Sequence, residues 1–314
     1  MAAFEIAIGL ALLFGGGEAL VRGAVALAHR LGLSKALVGA TVVGFGTSAP
    51  ELAVAVDAAL KGHGAIAIGT VVGSNICNVL LVLPMAALIF PVHWSRRAIR
   101  RDAATLSFAT VLFVAFAATG QLDRIEGAIL LVALVGVTGF AILSERRTPS
   151  VAVELLTEEA AELDTPPFPL ALATLLAIAG IAAVVGGAEL LVAGATEMAR
   201  RFGVSEATVG LTLVAIGTSL PELAAGAAAA RRQHPEVALG NVLGSNVFNQ
   251  LGIAGTAALA MPIAVPAEVA RVDLWTMLAV TAAIVAGLLT ARRLGRAPAL
   301  AALLLYATWV AVRM

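Results

Sequence analysis

Residues 46–51 read Gly-Thr-Ser-Ala-Pro-Glu and residues 217–222 read Gly-Thr-Ser-Leu-Pro-Glu, an offset of 217 − 46 = 171. The same offset pairs Glu18 with Glu189, Gly23 with Gly194, Gly39 with Gly210, Thr41 with Thr212 and His63 with His234. It also lays Gly73-Ser74-Asn75 on Gly244-Ser245-Asn246, and Asn78 on Asn249. Apolar helices alike by chance would match at Leu and Ala, not at Pro, Glu and Asn. A gapless offset over about 60 residues therefore marks a duplicated unit, and the fold must be one that two copies build together.

Composition says what each copy is made of. The chain of 314 residues is 60% hydrophobic and 13% charged, with a mean hydropathy of +0.99. A soluble domain carries roughly twice that charged fraction. Apolar runs of roughly 20 residues recur along the chain, enough to cross a hydrocarbon core as helices. They lack the strict alternation of barrel strands, and lipid tolerates no open sheet edge. The reading is an all-α membrane protein with ten transmembrane helices at about 3–28, 36–60, 65–90, 102–120, 125–144, 168–199, 207–230, 236–262, 272–290 and 297–312. Several exceed the minimum spanning length, so tilts or breaks are expected. Five spans per half is an odd number, so the second copy enters the bilayer upside down, giving two inverted five-helix repeats with broken helices around a midplane ion site.

The polar stretch between the halves sets the organisation. Residues 1–144 form the first repeat, 145–167 an acidic linker and 168–314 the second repeat, all within one integrated transport domain. Within the linker, Val151–Leu163 has the composition of a short surface helix. With the N-terminus outside, inside loops hold thirteen Lys or Arg and outside loops six. That bias places the linker in the cytoplasm and both termini outside a cell (inner) membrane. The apolar start from Ala2 to Leu13 lacks a basic n-region and a cleavage site, so no cleaved leader is expected. Cys77 is the single cysteine, which excludes a disulfide framework or thiolate cluster. No basic cluster suggests nucleic acid.

Glu51 and Glu222 fall near the middle of their spans, and neither span contains a Lys or Arg to neutralise them. A carboxylate at the bilayer centre costs about 3 kcal/mol even on the lenient scale. Inversion brings the two together, and two close carboxylates cannot both stay ionised without a cation or proton between them. Thr47, Ser48, Thr218 and Ser219 supply hydroxyls within one turn. Pro50 and Pro221 leave the carbonyls of Gly46 and Gly217 without their helical donors. In the second motif Ser74 and Asn78, like Ser245 and Asn249, share a helical face. All these ligands are hard oxygens, which suit calcium and sodium better than magnesium or a soft metal.

These paired motifs, Gly-Thr-Ser-x-Pro-Glu and Gly-Ser-Asn-x-x-Asn, resemble the cation/calcium exchanger superfamily over nearly the whole chain, and most of all its prokaryotic sodium/calcium exchangers. The resemblance implies a secondary antiporter, not an enzyme. It would export calcium in exchange for sodium at one shared central site, by alternating access. Calcium and sodium would bind as transported substrates, with no cofactor, and the monomer in the bilayer would be the transport unit. By motif position Glu51, Glu222, Thr47, Ser48, Thr218 and Ser219 would ligate the ions. Ser74 and Ser245 would serve flanking sodium sites and Asn78 the central position, with Asn249 and the carbonyls of Gly44 and Ala215 completing the ligand set. The first and sixth helices would slide as a pair, and no separate calcium-sensing domain is expected. Well-studied sodium/calcium exchangers often carry Asp at the position of Asn249. Two fixed carboxylates instead of three keep a proton-driven calcium antiporter open as the alternative. Asn75 and Asn246 are read as packing or loop-bonding residues, and Glu18 and Glu189 as structural or gating residues.

Overall fold

The computed structural model describes residues 1–30, 48–94, 96–145, 169–231, 233 and 235–313. In the first half, α1 (Ala2–Arg30) is followed by α2 (Ala49–Leu60) and α3 (Gly64–Cys77). A π-helical turn (Asn78–Val82) joins α3 to α4 (Leu83–Ile89), and α5 (Arg96–Ala117) and α6 (Arg124–Glu145) complete the half. The second half opens with α7 (Leu170–Phe202). Then come α8 (Glu206–Val209), a π-turn (Gly210–Val214), α9 (Ala215–Thr218) and α10 (Leu220–Arg231). Next are α11 (Pro235–Val247), a π-turn (Phe248–Ile253) and α12 (Ala254–Ala260). A last π-turn (Val269–Asp273) leads into α13 (Leu274–Thr290), and α14 (Arg296–Arg313) closes the chain. Residues 31–47 and 146–168 lie outside the described set, and with them Gly44, Gly46, Thr47, the start of the second expected span and nearly all of the linker.

Among the described residues, five helices are long and apolar enough to cross a membrane, or six if Glu206–Thr218 and Leu220–Arg231, bent by 42° at their junction, count as one. The ten expected spans are more than this, and the reasons are local. Helix α5 opens on Arg96, Arg97, Arg100 and Arg101, and only the last part of the second span is described. Burial sorts the helices by depth. In Gly64–Ile89 94% of the apolar window is buried, whereas in Arg124–Ala141 only 11% is. The rod carrying Ser74 and Asn78 is therefore the axis of the molecule, and α6 is an outer wall. On the outside of α6 and α7, Val132, Val135, Leu175, Ile178 and Val185 are exposed, an apolar surface that lipid would cover.

The two halves meet crosswise. Helices α1 and α7 run antiparallel, in contact along their length. Gly9, Gly16 and Gly23 recur on α1 every seven residues, and the repeat offset carries them onto Gly180, Gly187 and Gly194. Gly9 faces Gly187 while Gly16 faces Gly180, so each glycine meets the counterpart of the other. A Cβ on Gly180 would lie 2.4 Å from the Leu20 backbone nitrogen, so no side chain fits there. Two short strand pairs obey the same rule. β1 (Val92–His93) pairs with β4 (Arg293–Leu294), and β2 (Gln121–Leu122) pairs with β3 (Ile263–Ala264). The offset carries β1 onto β3 and β2 onto the edge of β4, so each half lends a strand to the other.

Candidate functional site

Ser48 and Ser219 sit just before α2 and α10 with nearly the same backbone, φ −93°, ψ 10° and φ −85°, ψ 5°. Those angles lie outside the α region, so a helix starts just after each serine, one residue before a proline. Pro suits that first turn, where its missing N–H would have had no partner. Glu51 and Glu222 then fall in the first turn of their helices, where the dipole favours negative charge. This is how the Gly-Thr-Ser-x-Pro-Glu sequence places a carboxylate in the interior.

Both carboxylates are buried, Glu51 at 2% and Glu222 at 1% exposure. Ser219 Oγ donates to Glu51 Oε1 at 3.2 Å, and Ser48 Oγ donates to Glu222 Oε1 at 3.5 Å. The support is reciprocal, because each glutamate is held by the serine of the opposite half. Ser48 Oγ also lies 3.5 Å from Ser245 Oγ. The other oxygens, Glu51 Oε2 and Glu222 Oε2, are buried with no hydrogen-bond partner. Ser74 Oγ, Asn78 Oδ1 and Asn249 Oδ1 share that condition. Unsatisfied buried acceptors are uncommon in folded proteins, and several here belong to the residues singled out from the sequence. Among the described residues no group of three or more His, Cys, Asp or Glu is placed to hold a metal. A cation here would thus have two carboxylates and otherwise neutral oxygens.

Not every candidate is equally free. Thr218 Oγ1 donates to the Val214 carbonyl at 3.0 Å, leaving only its lone pairs for a cation. The Ala215 carbonyl already accepts from the Ser219 nitrogen at 3.1 Å. Gly44 and Thr47 lie outside the described residues. Asn78 opens one π-helical turn and Asn249 is the second residue of its repeat counterpart, and the extra residue of each widens the turn and re-aims the side chains around it. Gly73 lets this rod approach the second half. A Cβ there would lie 2.3 Å from the Leu211 carbonyl oxygen.

Two features escaped sequence reasoning. Glu189 has no partner on its own helix, yet Lys61 Nζ lies 3.3 Å from its Oε1 and 3.1 Å from Asp57 Oδ2. Partial burial pulls the Lys61 pKa down, but the hydrogen bonds and charges of Asp57 and Glu189 outweigh it and hold the ammonium above the ordinary lysine value. Glu18 pairs with Arg22 on its own helix, as the four-residue spacing predicts. The second feature is Gln250, fully buried beside Asn249. A second amide directly after Asn249, in the otherwise apolar run Phe248–Ile253, was the available signal. Cys77 is buried.

Comparison with known proteins adds a lineage to this geometry. The family profile described as sodium/calcium exchanger protein matches residues 1–143 and 172–314, leaving out the acidic stretch between them. A protein of Alkalimonas amylolytica called CaxA is 38% identical over 296 residues, covering 94% of this chain and 91% of its own. The sodium/calcium exchanger MaX1 of Methanosarcina acetivorans is 30% identical over 289 residues, covering 82% and 83%. The solved structure of the sodium-calcium exchanger NCX_Mj soaked with 10 mM Na+ and 10 mM Sr2+ superposes with a TM-score of 0.63 at 30% identity, covering 100% of this chain and 99% of that one.

Proposed function

This chain belongs to the sodium/calcium exchanger protein family, and from that premise we propose that it exports calcium in exchange for sodium at one central site between Glu51 and Glu222. Ten spans in two inverted five-helix repeats, with both termini outside and the linker cytoplasmic, are the topology that goes with this reading. The observation that carries it is the crosswise support of two buried carboxylates, each with one oxygen left without a partner. Two negative charges in a dry interior repel strongly. One divalent cation, or two monovalent ones, neutralises them. Ions that replace one another at the same oxygens cannot be bound together, which is the condition for exchange instead of co-transport. Ser48, Ser219, Ser74, Ser245, Asn78 and Asn249 supply the remaining oxygens at no charge, with the hydroxyls of Thr47 and Thr218 and the carbonyls of Gly44 and Ala215 as further donors. Calcium accepts such a set at six to eight positions of flexible geometry.

The alternative driver is the proton. Asn at both 78 and 249 leaves two ionisable ligands, and two protons would discharge them as completely as two sodium ions. Inside-out vesicles separate the cases. An outward-directed sodium gradient should drive calcium uptake, and a sodium ionophore should abolish it. Uptake that responds only to a pH gradient would make the protein a proton-coupled exchanger.

A further inference from the structure

Asn78 can work as a cation ligand only if its side-chain amide presents oxygen. If the amide were turned over, its NH2 group would put a positive dipole toward the cation. Something must therefore fix its orientation, and the hydrogen bonds around it identify what does. Asn246 Nδ2 lies 3.3 Å from the backbone carbonyl of Asn75. A carbonyl only accepts, so Asn246 must present its NH2 there. Its Oδ1 is then the atom that meets Asn78, at 3.0 Å, and Asn78 must answer with Nδ2. Asn78 Oδ1 is left over, buried and unpartnered. The π-turn carrying it packs against α10, the helix of Glu222.

The mirror arrangement would have Asn75 hold Asn249. It is pre-empted. Asn75 Nδ2 donates to the Val71 carbonyl at 2.7 Å, and its Oδ1 accepts from Gln250 Nε2 at 2.7 Å. Gln250 Oε1 in turn accepts from Thr110 Oγ1 at 2.9 Å. The repeat counterpart of Gln250 is Val79 (250 − 171 = 79), which has no amide to give. All five members, Thr110, Gln250, Asn75, Asn246 and Asn78, are at most 1% exposed, so water does not compete for these bonds.

We propose that Asn246 is a positioning residue for cation binding, turning the Asn78 carbonyl oxygen to the site, and that Gln250 denies Asn249 the same support by occupying Asn75. The proposal rests on the reading of Glu51 and Glu222 as the cation site. The two asparagines of the repeated motif are then unequal, one fixed as an oxygen ligand and one without that support.

A double-mutant cycle on the full-length purified protein tests this, with calcium affinity read by calorimetry. Asn246→Leu, near in volume, should weaken calcium binding about tenfold, the size of one lost ligand to a charge. In an Asn78→Ala background, where nothing is left to orient, it should cost less than twofold. In an Asn249→Ala background the tenfold loss should persist. Equal losses in all three backgrounds, or no loss at all, overturn the proposal. Melting temperature without calcium, followed in parallel, separates a packing defect, which would appear in every background. Should Asn246→Leu fail to fold, Gln250→Val carries the test. It frees Asn75 for Asn249, so Asn249→Ala should then cost at least three times more affinity than in the wild type, and an unchanged cost overturns the proposal. Glu51→Gln serves as the control. If it leaves calcium binding intact, the site reading itself fails. If it abolishes binding while 78 and 246 act additively, only the positioning role fails.

Discussion

Replacing Glu51 with Gln removes one buried charge and almost nothing else. The side chain is 2% exposed, and Ser219 Oγ donates to its Oε1 at 3.2 Å. Glutamine keeps an oxygen to accept that bond. Oε2 has no partner to lose. The change therefore isolates electrostatics, and it should act with opposite signs on two states. With calcium bound, Glu51 is one side of a buried ion pair, and breaking such a pair costs about 3–5 kcal/mol. At about 1.4 kcal/mol per decade, calcium affinity should fall by roughly two to four orders of magnitude. Without calcium, the two wild-type carboxylates repel, by about 4 kcal/mol for unit charges 4 Å apart at an effective dielectric of 20, unless one of them takes up a proton. Glu51→Gln removes this repulsion, so the cation-free protein should melt higher than the wild type. Calorimetry and thermal melts in detergent at pH 8, where protonation relieves the wild-type pair least, read both signs. Affinity within threefold of the wild type, or a cation-free variant that melts lower, would refute the reasoning. Glu222→Gln should behave alike, because Ser48 supports it as Ser219 supports Glu51.

Ser219→Ala removes a hydroxyl that both bonds a carboxylate and faces the site, and hydrogen bonds to charged groups are worth about 1.5–3 kcal/mol. Calcium affinity should drop at least tenfold, checked by calorimetry. Gly180→Ala forces a methyl to within 2.4 Å of the Leu20 backbone and so pushes α1 from α7, at a cost of about 1–3 kcal/mol for overpacking. Its melting temperature should fall and vesicle transport should slow, while calcium affinity stays within threefold because neither helix carries a ligand. Lys61→Met breaks the bridge to Glu189, whose side chain is 65% exposed. Exposed pairs contribute about 1 kcal/mol or less, so melting should change little and calcium affinity by less than twofold.

The sequence told most where the two copies agree and least where they differ. Glu51, Glu222, Ser48 and Ser219 were legible because a carboxylate in an apolar run demands an explanation and the offset supplied it twice. That each serine serves the opposite glutamate was not legible, since sequence order carries no information on which half faces which. The π-turns at Asn78 and Asn249 left no mark in a uniformly apolar pattern, because period 3.6 is invisible where nearly every position is hydrophobic. The glycines at 9, 16 and 23 with their counterparts at 180, 187 and 194 were visible in the offset, although only Gly23 and Gly194 were singled out. Gln250 was missed for the opposite reason. Two repeats mark only what they share, and the counterpart of Gln250 across the offset is Val79, so the duplication carries no sign of this amide.

That asymmetry bears on how a symmetric architecture can move different ions. A strict two-fold would make Asn78 and Asn249 identical ligands, and any ion that satisfied one would satisfy the other. Glu51 and Glu222 keep the two-fold, for each is buried, serine-bonded and half unsatisfied in the same way. The amides do not. Asn246 fixes Asn78, while Asn75 is held by Gln250, which Thr110 holds in turn, and cannot fix Asn249. The charges that any cation must balance are thus shared equally between the halves, whereas the neutral oxygens that rank one cation above another are not. Charge balance sets how many positive charges the site takes up. Ligand geometry sets which ion delivers them. A duplicated chain can therefore keep the first under two-fold control and let the second drift through residues such as Gln250, which lie outside the repeated motifs and carry no charge.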